Sequence, residues 1–275
     1  MRSASPCPPI ASLLICAVAS LVIAAGALAA GVSTPTISVD GTRFVVTSPS
    51  GDDLSPETLV GAELDSGDGR VVRIDSIEKD SKSIADVWLY RLSARQPTGR
   101  WADICTPDRE GRSAAIPLPG YFDARAHFVS DPRRFTLACT SGAQGKCVRL
   151  GYRPWESDPR GRSVAPTYDA CVRMMRADYC GDGRSFTRDG TPVEITDGGR
   201  ARTAQARARN FEFEAAWGQD GAICVARPRI PAETSLAALA TICPRLRGHL
   251  GEGRCSRNAP GALLLNSSPL DAGSR

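Results

Sequence analysis

The residues with the widest chemical reach are five carboxylates within the twenty positions from 178 to 197: Asp178, Asp182, Asp189, Glu194 and Asp197, set among Gly181, Gly183 and Gly190. Acidic side chains spaced by glycine can supply oxygen ligands for calcium, and a pair of them can supply the acid and the base of a hydrolase. The spacing does not follow an Asp-x-Asp-x-Asp-Gly loop. Arg176, Arg184 and Arg188 are interleaved as salt-bridge partners, so turns and ion pairs account for the same residues. A second group is aromatic: Tyr121, Phe122, Tyr152 and Trp155 lie among Gly and Pro, as the rings of sugar- or peptide-binding platforms do, although such rings also cover core edges. Together these patterns nominate Asp178, Asp182, Asp189, Tyr152 and Trp155 as candidate binding residues.

Nucleophilic cysteine chemistry needs a thiolate and a histidine to generate it, and the chain has only His127 and His249. His127, in Ala126-His127-Phe128, reads as an ordinary structural position. No Gly-rich phosphate loop, Gly-x-Ser-x-Gly elbow or His-Glu-x-x-His pair is present. No catalytic residue, metal ligand or cofactor is assigned.

The cysteines carry a different message. Ten are present, two of them (Cys7 and Cys16) inside an apolar leader, which leaves Cys105, Cys139, Cys147, Cys171, Cys180, Cys224, Cys243 and Cys255. Eight cysteines in an oxidising compartment predict up to four disulfides, in any of about 105 connectivities. No two of these lie closer than eight residues, so the paired spacing of a zinc site is missing.

The leader itself predicts export. After Arg2 no charged side chain occurs until Asp40, Ile10 to about Ala25 is apolar, and Ala27-Leu28-Ala29 offers the small-x-small step of a signal peptidase, with cleavage after Ala29 or Ala30. A retained leader would instead be long enough to anchor the protein in a membrane. The net charge of +4, from 34 basic and 30 acidic side chains of interspersed sign, describes a solubilising surface and no nucleic-acid footprint.

These residues must be positioned by elements that the periodicity outlines. Residues 31–100 hold no cysteine and alternate apolar runs (Thr42 to Thr47, Leu59 to Leu64, Val71 to Ile77, Ile84 to Leu92) with turn residues, which suits a small antiparallel sheet with a hairpin at Gly67 to Gly69. A boundary is expected near Gln96 to Gly99, a cysteine-rich domain over 101–250 and a flexible tail over 251–275. Phe135 to Cys139 reads as a strand. Gly142 to Leu150 reads either as a short helix stopped by Gly151 or as a hairpin through Ser141 to Gly145. Tyr168, Cys171, Val172, Met175 and Tyr179 recur at helical spacing and predict a helix over Thr167 to Cys180, ended by Gly181. Its two cysteines would then lie about 13 Å apart, beyond the roughly 7 Å a disulfide spans, so each should bond elsewhere. Phe186 to Ile195 reads as a hairpin about Asp189-Gly190. Phe211, Phe213, Ala215 and Trp217 share one strand face with Glu212 and Glu214 opposite, and Ala222 to Ala226 pairs with that strand across Gly218 to Gly221. A last helix is expected from Thr234 to Cys243, ended by Pro244.

Three phrases of this chain resemble one known family. ACVRMMRADYCGDGRSFTRDGTPVEITD (170–197) contains the Ala-Asp-Tyr-Cys step, Ala177 to Cys180, for which the ADYC-domain proteins are named; FTLACTSGAQGKCVRLGYRPW (135–155) and FEAAWGQDGAICVARPR (213–229) are similar to the same family. The resemblance, over roughly 101–246, implies an exported bacterial protein with one cysteine-rich domain, and lends no catalytic residue, ligand or reaction.

The expectation is an α+β chain, mainly β, with antiparallel sheets, two short helices and disulfide staples. Its expected role is that of an exported binding or structural module of the cell envelope or secretome, with a peptide or carbohydrate as ligand and no nucleic acid. A secreted hydrolase using the 178–197 carboxylates and a membrane-tethered envelope protein with a retained leader are the alternatives.

Overall fold

Two strands with alternating side chains form the middle of the first half. Val71–Lys79 and Trp88–Arg95 pair antiparallel, and because successive residues point to opposite faces, Ile74, Tyr90 and Leu92 close one core while Leu89 closes another. In the computed structural model, residues 36–270 are described, apart from 49, 66–68, 85, 199 and 202–209. The leader expected over 1–30 and the end of the expected tail lie outside the described residues.

The strands run, in order, β1 (Thr36–Asp40), β2 (Arg43–Thr47), β3 (Asp53–Leu54), β4 (Glu63–Asp65), β5 (Val71–Lys79), β6 (Trp88–Arg95), β7 (Trp101–Asp103), β8 (Ala114–Leu118), β9 (Gly120–Phe122), β10 (Phe128–Ser130) and β11 (Thr136–Cys139). Two helices follow, α1 (Ala143–Arg149) and α2 (Ala165–Met175), and then β12 (Glu194–Asp197), β13 (Arg200–Ala201), β14 (Phe211–Gly218), β15 (Gly221–Val225), α3 (Leu236–Ile242) and β16 (Leu264–Pro269). The larger sheets have the orders β11-β8-β6-β5-β4, with β7 also on β6, and β13-β12-β16-β14-β15; β1-β2-β3 and β9-β10 are separate. All these strand pairings are antiparallel, which makes the protein α+β and mainly β. The main core joins Leu89, Ile116 and Leu118 of the first sheet to Tyr168, Cys171 and Met174 of α2 and to Ile195, Ala215 and Trp217 of the second. Among the described residues no helix is long and apolar enough to cross a membrane.

All eight cysteines pair: Cys105–Cys139, Cys147–Cys171, Cys180–Cys243 and Cys224–Cys255. Cys171 and Cys180 therefore do bond elsewhere. The helix reading of Gly142 to Leu150 is the one realised, giving three α-helices among the described residues where two were expected. Gly145 lets α1 lie against the preceding strand, since a Cβ there would sit 2.5 Å from the Cys139 carbonyl oxygen.

Several expectations are corrected. α2 ends at Met175, well short of Cys180, because Ala177 takes φ +50° and the Asp178 N–H turns back to the Arg173 carbonyl. The predicted hairpin about Asp189-Gly190 is only a turn from Arg188 to Thr191; the strand after it, β12, takes its partner from β16 instead. The boundary expected at Gln96 to Gly99 falls on the turn of the β6–β7 hairpin, inside one sheet. The flexible tail expected over 251–275 contains β16, the middle strand of its sheet. Finally, a register shift between Phe213 and Ala215 adds a residue to β14, so Glu214, expected on the solvent face beside Glu212, is fully buried.

Candidate functional site

The nominated carboxylates do not converge. Asp178 is fully buried: its Oδ2 accepts from Arg173 Nη1 at 2.7 Å and from the Gly183 N–H at 3.0 Å, and its Oδ1 accepts from the Gly181 N–H at 2.9 Å. It closes the turn after α2 and faces no solvent, which corrects its nomination as a ligand-binding residue. Asp182 pairs locally with Arg184, Asp189 is exposed at its turn, and Glu194 and Asp197 lie on β12. Among the described residues no group of three His, Cys, Asp or Glu side chains is placed to hold a metal ion. Tyr152 is 2% exposed in the main core and Trp155 packs against that core, so the supposed aromatic platform is core edge. Phe122 likewise packs edge-on to Phe128, while Tyr121 lies under the Arg134 guanidinium.

The Ala-Asp-Tyr-Cys step proves to be a junction. The Tyr179 hydroxyl donates to Glu214 Oε1 at 3.0 Å and accepts from the Arg229 N–H at 2.8 Å. Arg229 grips Glu214 through Nε (2.9 Å) and Nη2 (3.0 Å), and also donates to the Met174 carbonyl. Asn266 donates to Glu214 Oε2 and accepts from the Trp217 indole. Every group in this buried network is matched, as the low-dielectric interior requires. Burial alone would raise the Glu214 carboxyl, but the Arg229 charge and its hydrogen bonds outweigh it and hold the group below its ordinary value.

The same segment fixes the β14–β15 turn. Gly181 has φ +75°, and a Cβ there would lie 1.9 Å from the Asp220 carbonyl oxygen; Arg245 binds the carbonyls of Tyr179 and Asp220 at 2.7 and 2.9 Å. So held, the turn presents Gln219 and Asp220 to a histidine. Asp220 Oδ1 lies 2.9 Å from His127 Nε2, without hydrogen-bond alignment, and Asp123 Oδ2 lies 3.9 Å from Nδ1. The histidine loop is built by Asp123, whose Oδ1 accepts from the N–H groups of Arg125 and His127; the bond from His127 is the chief reason the Asp123 carboxyl sits below its ordinary value. Beneath them is Asp169 of α2, 1% exposed, accepting from the Phe128 N–H at 3.1 Å and from Gln219 Nε2 at 2.8 Å. Burial raises its carboxyl to about 6 against the pull of Gln219, Phe128, His127 and Arg173. The imidazole thus sits between the exposed Asp220 and the loop that Asp123 closes, with the buried Asp169 holding both the Phe128 backbone and Gln219.

Of this cluster the sequence analysis weighed only His127. Asp169 lies inside an apolar helical stripe, and Gln219-Asp220 reads as turn chemistry, so neither carries a local signal. The family model described as ADYC domain matches residues 51–231, taking in β3 through β15 and six of the eight paired cysteines, and stopping short of α3, Cys243, Cys255 and β16. No curated protein and no solved structure matches the chain.

Proposed function

The chain belongs to the ADYC-domain family, and from that premise we propose that it is an exported, disulfide-held binding or structural module of the cell envelope or secretome. The observation that carries this reading is the closure of all eight cysteines after the leader into four disulfides. Such bridges persist in oxidising compartments and are reduced in the cytosol. The hydrolase alternative is less supported, since Asp178 is buried against Arg173 and Asp182 pairs with Arg184.

The test is the intact mass of protein recovered from its native host, alkylated and left unreduced. The expected species begins near Gly31 and carries no alkyl label. Labelled thiols would overturn the four-bridge module, and a species keeping residues 1–30 in the membrane fraction would replace it with the tethered envelope protein.

A further inference from the structure

Beside β5 and β6 a cleft of about 290 Å³ opens, on the sheet face that also builds the main core. Its floor is Leu89 with Ser76, Glu78 and Arg91 around it, and its wall is Arg112 with Ser113 from the turn that Asp108 closes. Most charges near it are already matched. Arg112 donates to Asp80 and Glu110, and Arg91 gives Nε and Nη2 to the two oxygens of Asp103, both at 3.1 Å. Two groups have capacity to spare among the described residues. Glu78 accepts no hydrogen bond there, its ion pair with Arg112 is long, at 3.9 Å, and its side chain is 57% exposed; Arg91 keeps Nη1 without a partner.

The register makes these two a matched set. Ser76 faces Arg91 and Glu78 faces Leu89, so Glu78 and Arg91 are diagonal neighbours on one face, about 7–8 Å apart at the backbone. Arg91 has turned to Asp103, and the acid faces the cleft with only the long contact to Arg112. We propose that this cleft binds a small zwitterion, a short peptide such as a dipeptide, with its ammonium on Glu78, its carboxylate on Arg91 Nη1, and its amide on the side lined by Ser76 and Ser113. The cleft's volume is just below the usual range for drug-sized ligands and accommodates a molecule of this size. The inference rests on the binding-module reading and gives that module a ligand class.

The experiment is a ¹⁵N–¹H NMR titration of the disulfide-bonded protein with glycylglycine, and separately with ethylamine and with acetate, each to about 10 mM, ten times the Kd of about 1 mM that a ligand this small allows. Saturable shifts confined to residues 76–78, 89–91 and 111–114 with the dipeptide, at least fivefold weaker with either half-ligand, are expected. Glu78→Gln should weaken dipeptide binding about tenfold with an unchanged melting temperature, since Glu78 supports no hydrogen bond. Equal binding of acetate would make this an anion site, and equal binding of ethylamine a cation site; either overturns the proposal, as do an absent shift or an E78Q variant that binds normally. Such a failure would leave the mass of the native, unlabelled protein unchanged, so it would not be mistaken for failure of the exported module.

Discussion

Burial raises the Asp169 carboxyl to about 6, so the folded protein holds that proton more tightly than the unfolded chain does. The contribution of this group to stability is therefore greatest below the ordinary carboxylate value and is lost as pH rises through about 6. Asp169→Asn removes the titration. Wild type should accordingly gain about 2 kcal/mol relative to the variant when urea unfolding is measured at about pH 4.5 instead of about pH 7.5; any fixed loss from the altered bond to Gln219 drops out of that comparison. A pH-independent difference would show that Asp169 is not held as described. Glu214 has the opposite sign. Its carboxyl is depressed, so its contribution is present at neutral pH and lost on acidification. Glu214→Gln leaves Arg229 buried without its counter-charge and should lower stability at about pH 7.5 by about 3–5 kcal/mol, read from the urea midpoint. A change under about 1 kcal/mol would mean that water reaches the pair.

At the scale of elements, the junction between the Ala-Asp-Tyr-Cys step and the β14–β15 turn depends on close backbone approach. Gly181 and Gly183 both take positive φ, +75° and +88°, but a Cβ on Gly183 meets open space while one on Gly181 meets the Asp220 carbonyl. Gly183→Ala should cost about 1–2 kcal/mol for its backbone conformation alone, and Gly181→Ala about 3 kcal/mol or more, with shifted resonances at Gln219 and Asp220. Equal losses would refute the close approach.

Period and turn chemistry made β5, β6, the β14–β15 hairpin and α3 legible, since each has apolar residues at the spacing its face requires. They could not reveal the extra residue in β14, because strict alternation has no symbol for a bulge, and so Glu214 was assigned to solvent. The end of α2 was hidden for a related reason: Tyr179 continues the apolar spacing, but it does so from a turn stabilised by the buried Asp178. β16 was missed because the residues it buries on its two faces include Asn266, Ser267 and Ser268, fully or almost fully buried. They are polar because they meet Glu214, Trp217 and Arg227, which are distant in sequence, and the nearer Arg257. The His127 cluster was illegible on the same ground, since its members come from a loop, a helix and a turn that only the fold brings together.

For the whole molecule, the four bridges close loops with sequence separations of 34, 24, 63 and 31 residues. Loops of that length restrict the unfolded chain by about 3.5–4.5 kcal/mol each, against a net stability of about 5–15 kcal/mol for a typical domain. Full reduction without denaturant should therefore unfold the protein, seen as loss of near-ultraviolet circular dichroism and collapse of amide dispersion. A reduced protein that keeps both signals would show the bridges to be dispensable.

The place of β16 between β12 and β14 sets an order of events during synthesis. A chain emerging amino end first, from a ribosome or from a translocation pore, has every strand of its first large sheet available once Cys139 is out. Its second large sheet has a gap in the middle until residue 269 follows. Throughout that interval β12 and β14 each present an unpaired edge, and Glu214 and Trp217 wait for Asn266, so the arrival of β16 is the event that ends the period of greatest exposure to misassembly.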